Sequence, residues 1–125
     1  MQAQIRQYQT HASSTEIFGR VLCSARNHHF IVDGPEQNGC PGEEITPAEL
    51  FLSGVGSCGV ELIQVLARSA GIPLSSVTVK IQGVIDRSNP VRKDLSLFNS
   101  VRIHFHLKGI ADQDAKQLLQ QFKER

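Results

Sequence analysis

With 125 residues, 40% of them hydrophobic and 20% charged, the chain fits one domain over residues 1–125 with a single core. Its 13 lysines and arginines nearly balance its 12 aspartates and glutamates, and a net charge of +1 gives no electrostatic case for nucleic acid or an anionic membrane. No unbroken apolar run approaches the roughly 18 residues of a membrane span, residues Met1 to Arg6 lack a signal-peptide core, and three cysteines fit reduced thiols in a cytoplasmic protein better than a disulfide framework.

Residues 3–10 alternate weakly and are read as a first strand. Ile17 to Ala25 is rich in β-formers (Ile17, Phe18, Val21, Leu22, Cys23). Arg26-Asn27-His28-His29 turns the chain, and Phe30-Ile31-Val32 pairs back. Asp33-Gly34-Pro35 breaks that strand, and residues 33–45 form a loop containing Gly34, Pro35, Gly39, Pro41 and Gly42.

A long helix follows. Thr46 is its N-cap, Pro47 suits its first position and Glu49 completes a capping box, while Gly71 and Pro73 mark its end. Its apolar residues cover more than one face, which predicts burial on most sides, under a sheet or in a dimer. Gly54, Gly56 and Gly59 together cost roughly 3 kcal/mol of helix propensity, so close packing against a second helix, or access to the sulfur of Cys58, must offset them.

Two half-buried strands come next. Val77, Val79 and Ile81 alternate with Thr78, Lys80 and Gln82; Val101, Ile103, Phe105 and Leu107 alternate with Arg102, His104, His106 and Lys108. The connection Asp86 to Asn99 is polar, with room for a short irregular element. The last element is an amphipathic helix, capped by Asp112 and carrying Ala115, Leu118, Leu119 and Phe122 on one face. No stop signal precedes Arg125, so it either frays there or continues in a longer chain. Strands, long helix, strands, helix is an α+β order.

Those landmarks, in that order, resemble the family of osmotically inducible protein C and organic hydroperoxide resistance proteins (OsmC/Ohr). The resemblance rests on Asp33-Gly34-Pro35 to Gly39, on Thr46-Pro47-Ala48-Glu49-Leu50, on Ser57-Cys58 within the helix, and on Ala70-Gly71-Ile72-Pro73-Leu74 before Val77-Thr78-Val79. It implies an intertwined homodimer, with antiparallel sheet wrapped around the long central helices and active sites at the interface. It also implies that Cys58 attacks an organic hydroperoxide and becomes a sulfenic acid, and that a dithiol restores it. In the family a second cysteine, in a Cys-Pro pair after the later helix, resolves the intermediate. An arginine and a glutamate attend the first thiol; here Arg20 and Arg26 are the candidates by position, Arg6 a weaker one, and Glu49 the glutamate. Two positions depart from the pattern. The resolving Cys-Pro expected after the later helix is not found up to Arg125, and Ala48 occupies the place where active members commonly carry glutamate. Both point to the broader OsmC-like branch, and to an alternative reading as a non-catalytic dimer that binds a small ligand or senses redox state.

The residues also have plainer explanations. A buried thiol is inert, so Cys58 needs a cation, and its helical neighbours Gly54, Val55, Glu61 and Leu62 supply none. Glu49 is explained by capping alone. Cys40, in an open loop near the helix start, is a stand-in for the resolving thiol or a solvent-facing cysteine without a partner; Cys23 reads as core. His104 and His106 share a strand face, but Arg102 and Lys108 beside them disfavour a metal ion, and no metal or other cofactor is expected.

Overall fold

Antiparallel pairing accounts for every strand among the described residues of the computed structural model, which are 5–94 and 97–124. The chain forms two compact units, residues 1–50 and residues 51–125. Its class is α+β, with strands divided between two antiparallel sheets.

The first unit holds β1 (His11–Ser14), β2 (Arg20–Ala25) and β3 (His28–Asp33), in the order β1-β2-β3. The first strand is not where the sequence suggested. Residues 5–10 have no regular structure, residues 3 and 4 lie outside the described residues, and β1 runs through His-Ala-Ser-Ser. That segment has no apolar alternation; the ladder to β2, from His11↔Ser24 to Ser14↔Val21, makes it a strand. β2 and β3 join through a two-residue turn, because Ala25 pairs with His28. Arg26 takes φ 55° there, an uncommon conformation for a residue with a side chain. After β3, a short 3-10 turn (Glu36–Asn38) folds the loop back, and Gly34 donates its N–H to the Gly19 carbonyl at 2.8 Å. A Cβ on Gly19 or Gly34 would collide with the Cys40 side chain, so glycine at both positions makes room for that residue. Cys40 is accordingly half-buried, not open to solvent as its loop setting suggested.

The long helix α1 (Pro47–Ser69) begins with the expected capping box. Thr46 donates its N–H to Glu49 Oε1 at 3.0 Å, and Glu49 N–H returns to Thr46 Oγ1 at 3.4 Å. Its end is a Schellman motif: Gly71, at φ 68°, donates to the Arg68 carbonyl, and Ile72 to that of Ala67. By length and composition α1 could cross a membrane, with an 18-residue window of mean hydropathy 1.6. Counting unbroken apolar runs missed this, because single serines and glycines interrupt the run without lowering its average much. One face of the helix is instead packed on protein.

The second unit adds β4 (Ser76–Val84), β5 (Ser100–Lys108) and α2 (Asp112–Lys123) to the body of α1. β4 and β5 pair over their full length, from Ser76↔Lys108 to Val84↔Ser100. Their inner face carries Val77, Val79, Ile81, Phe105 and Leu107. Ile63, Leu66 and Ala67 of α1 and Leu118 of α2 form the buried cluster beneath it, and Phe105 meets Phe122 edge to face at 5.1 Å. Asp112 does not cap α2. Ala111 holds the cap position without a side-chain bond, and Asp112 and Asp114 instead place negative charge in the first turn, where the helix dipole favours it. Between β4 and β5 no helix or strand forms among the described residues; Asn99 organises the connection by accepting from Asp86 N–H and donating to the Asn89 carbonyl, both at 2.7 Å.

The helix glycines divide by role. A Cβ at Gly56 would lie 3.0 Å from Ile81 and one at Gly59 3.3 Å from the Phe105 ring and 3.8 Å from Phe122, so Gly56 admits the sheet and Gly59 both the sheet and α2. At Gly54 a Cβ would meet nothing within 4 Å. Gly59→Val is therefore expected to cost about 1–3 kcal/mol by overpacking against Phe105, read from urea unfolding as a lower midpoint at unchanged slope.

Candidate active site

Cys58 lies midway along α1 and is exposed. Turning 100° per residue, α1 brings Phe51, Val55, Cys58, Leu62 and Val65 onto one stripe, well away from the buried face of Gly56, Gly59, Ile63 and Ala67. Phe51 is 56% and Val65 42% exposed, and Val55 and Leu62 are half-buried. The thiol thus opens onto solvent within an apolar strip; it is not sealed in hydrocarbon. Glu61, three residues on, is also exposed. No hydrogen bond or ion pair among the described residues engages the thiol. Phe51 stacks on Phe98 with ring centroids 5.4 Å apart, which fixes one end of the strip.

The other candidates belong to the first unit. Arg20, on β2, pairs directly across the ladder with Asp33 of β3. Its Nε donates to Asp33 Oδ1 and its Nη2 to Oδ2, each at 2.8 Å, and Nη2 also donates to Glu43 Oε1 at 3.0 Å. Asp33 is fully buried, and its Oδ2 also accepts the backbone N–H groups of Glu43 and Glu44 at 3.0 Å. The guanidinium bonds, then those N–H groups, hold the Asp33 carboxyl far below the usual carboxylate range. The Asp33 and Glu43 bonds push the Arg20 guanidinium further up. Arg20 is thus oriented by Asp33 and Glu43 and not by Glu49.

Glu49 is committed to Thr46. Its Oε1 accepts from the Thr46 N–H and from the Thr46 hydroxyl at 2.9 Å, and these bonds lower its carboxyl below the ordinary value. Arg26 sits at the β2–β3 turn, exposed and in no ion pair among the described residues. The structure therefore gathers Arg20, Asp33 and Glu43 into one cluster and leaves Arg26 and Glu49 outside it. Reading the sequence passed over Asp33 and Glu43. Asp33 looked like a strand breaker, and only the β2–β3 register, which sets it opposite Arg20, would have exposed the pair.

No group of three or more His, Cys, Asp or Glu side chains among the described residues could hold a metal ion. His104 and His106 are exposed on the outer face of β5.

Comparisons with known proteins agree with this architecture. Residues 40–125 match the family described as OsmC-like protein. The fold is similar to that of an OsmC-like protein from Mycoplasma pneumoniae, at 15% identity and TM-score 0.78, covering 96% of this chain and 82% of that one. It is similar to an organic hydroperoxide resistance protein from Elizabethkingia anophelis, crystallised with thiocyanate bound, at 19% identity and TM-score 0.73, covering 95% and 82%. A third likeness is to an organic hydroperoxide resistance protein OsmC from Legionella pneumophila, at 20% identity and TM-score 0.70, covering 93% and 81%. No curated protein matches the chain. Identities this low speak for the fold alone; the family match, which takes in α1, Cys58 and everything after it, carries more, and by it the chain belongs to the OsmC-like proteins.

Proposed function

We propose that the protein is a thiol-dependent reductase of organic hydroperoxides, working as a homodimer in the cytoplasm, with Cys58 as its nucleophile. The observation that carries this reading is the position of Cys58: a solvent-open thiol in the middle of an apolar strip, on a helix within the region that matches the OsmC-like family. Alkyl groups fit such a strip better than inorganic peroxide does.

In the proposed reaction the Cys58 thiolate attacks the oxygen of the hydroperoxide distal to the alkyl-bearing one. The O–O bond breaks, the alkoxide takes a proton and leaves as the alcohol, and Cys58 becomes a sulfenic acid. One thiol of a dithiol then displaces water from that sulfur. The second thiol closes the reductant's own disulfide and frees Cys58. The thiolate needs a cation, and Arg20 and Arg26 are the arginines proposed to supply it. Asp33 and Glu43 orient Arg20; Glu49, the glutamate candidate, holds the start of α1.

Dimerisation is supported by what each unit leaves uncovered. Among described residues of the first unit Val32 is the one large apolar side chain that is buried, while Phe18 is 76% exposed. In the second, Phe51 and Val65 remain exposed at the two ends of the strip that carries Cys58. Family membership and the free state of Cys23, Cys40 and Cys58 support a reducing compartment.

The test is turnover of cumene hydroperoxide with dithiothreitol. Cys58→Ser is expected to lower the rate by at least about a thousandfold with the fold intact; Cys23→Ser and Cys40→Ser are expected to keep it. A wild-type rate in Cys58→Ser, or no rate above buffer in the native protein, removes the enzyme reading and leaves the ligand-binding or redox-sensing dimer. The second reading draws on one observation, that the charged residue one turn from Cys58 is the anion Glu61.

A further inference from the structure

The near-neutral charge of the chain conceals an uneven distribution. Residues 76–108 contain six of the 13 lysines and arginines but two of the 12 carboxylates, a net +4 against −3 for the rest. The β4–β5 ladder then sorts these charges by face. Side chains alternate, so Val77, Val79, Ile81, Phe105 and Leu107 point to the helices, and Lys80, Arg102, His104, His106 and Lys108 point outward and are exposed. Register sets Lys80 opposite His104 and Arg102 opposite Gln82. Every other outward position of the two strands is Ser, Thr, Gln or Val, and none carries a carboxylate. Lys80, Arg102 and Lys108 enter no ion pair among the described residues.

Folding a strand that alternates apolar with cationic residues requires only that the outer face be polar, and glutamate or threonine would serve equally. Three fixed cations without a single anion among them create a strip that attracts extended anions. From Arg102 to Lys108 it runs about 20 Å at ~3.4 Å per residue, a length over which one strand of a nucleic-acid duplex presents about six phosphates. We propose that the outward face of the β4–β5 ribbon binds the phosphate backbone of duplex nucleic acid without reading its bases. Single strands fit less well, since no phenylalanine, tyrosine or tryptophan stands on this face for a base to stack on. A lipid surface also fits less well. The exposed apolar side chain of the face, Val84, lies at one end of it and not among the cations.

The experiment is fluorescence anisotropy of a labelled 20-base-pair duplex of arbitrary sequence with the full chain, between 20 and 200 mM NaCl. Three phosphate contacts predict that log K falls against log salt with slope about −2.7, roughly 40-fold between 50 and 200 mM, and that unrelated duplexes compete equally. The triple variant Lys80→Gln/Arg102→Gln/Lys108→Gln, all surface changes, is expected to lose at least 30-fold in affinity at 50 mM and most of the salt slope. Lys116→Gln/Lys123→Gln on α2 is expected to bind as the native protein does. No anisotropy change at 20 mM salt, a triple variant that binds normally, or capture by phosphatidylserine vesicles without binding to the duplex would each overturn the proposal. Cys58→Ser is expected to bind the duplex normally, so this test and the peroxide test fail separately.

Discussion

Asparagine in place of Asp33 is expected to lower the melting temperature by more than about 10 °C, the largest loss of stability expected from one surface-neighbouring polar residue in this chain. Asp33 is fully buried and accepts four hydrogen bonds, two from Arg20 and two from the backbone of Glu43 and Glu44. Asparagine keeps the shape but turns one acceptor into a donor, which then faces either Arg20 Nε or Arg20 Nη2 together with two backbone N–H groups. Arg20, 22% exposed, loses its buried counter-charge and keeps only Glu43, which is open to water. Breaking one side of a buried pair costs more than removing both, so Arg20→Met/Asp33→Leu is expected to melt above Asp33→Asn. Equal melting temperatures for native protein and Asp33→Asn would show that the cluster does not hold the 33–45 loop.

The same carboxyl gives the pH dependence its sign. Its folded pKa lies below its unfolded value, so at pH 2–4 the unfolded chain binds more protons than the folded one. Stability from this group is therefore complete above the unfolded carboxylate range, near pH 4, and falls as pH drops toward the folded value. Glu49 and Asp86, also lowered by hydrogen bonds, act in the same direction. Urea midpoints taken from pH 6 to pH 2.5 are expected to fall steeply below pH 4 for the native protein, and less steeply for Asp33→Asn.

How much of this was legible beforehand depended on whether the cause was local. The capping box at Thr46 and Glu49 and the glycine stop of α1 are short-range devices, and the structure places them where the letters do. So is the alternation of β4 and β5. β1 was not legible, because His11–Ser14 owes its extended form to a neighbour strand and not to its own residues. Nor was the cap of α2, where Asp112 reads as an N-cap although it is the first residue inside the helix.

The site divides the same way. Cys58 was conspicuous as a sulfur in a glycine-rich helix, and Arg20 by its position. Asp33 and Glu43, thirteen and twenty-three residues from Arg20, become its partners only through strand pairing and a loop that folds back. On the outer face of the β4–β5 ribbon, Arg102 and Lys108 were legible as neighbours of His104 and His106, while Lys80 joins them through the strand register. Net charge is a sum over the chain, while attraction to a polyanion depends on which charges share a surface. The prediction that α1 is buried on most sides was drawn from its composition, yet within one chain only one face is covered.

That uncovered face carries the last prediction. Phe51→Glu and Val65→Glu are each expected to shift the protein in light scattering from a dimer to the 13.8 kDa monomer, weakening association by roughly 30-fold or more. A two-fold interface repeats every substitution, so each variant sets two carboxylates into the apolar strip. Gln64→Glu, on the far side of α1 from the strip, is expected to leave the mass unchanged. The buried cluster of the second unit consists of Ile63, Leu66, Ala67 and Leu118, too small a core to stabilise it generously alone. Stability should therefore be tied to association: the native melting temperature is expected to rise with protein concentration, and those of the two variants to stay low and independent of it. If a partner completes the pocket around Cys58, hydroperoxide turnover falls with the dimer fraction. A monomeric native protein with full activity would refute the proposed assembly while leaving the proposed chemistry of Cys58 standing.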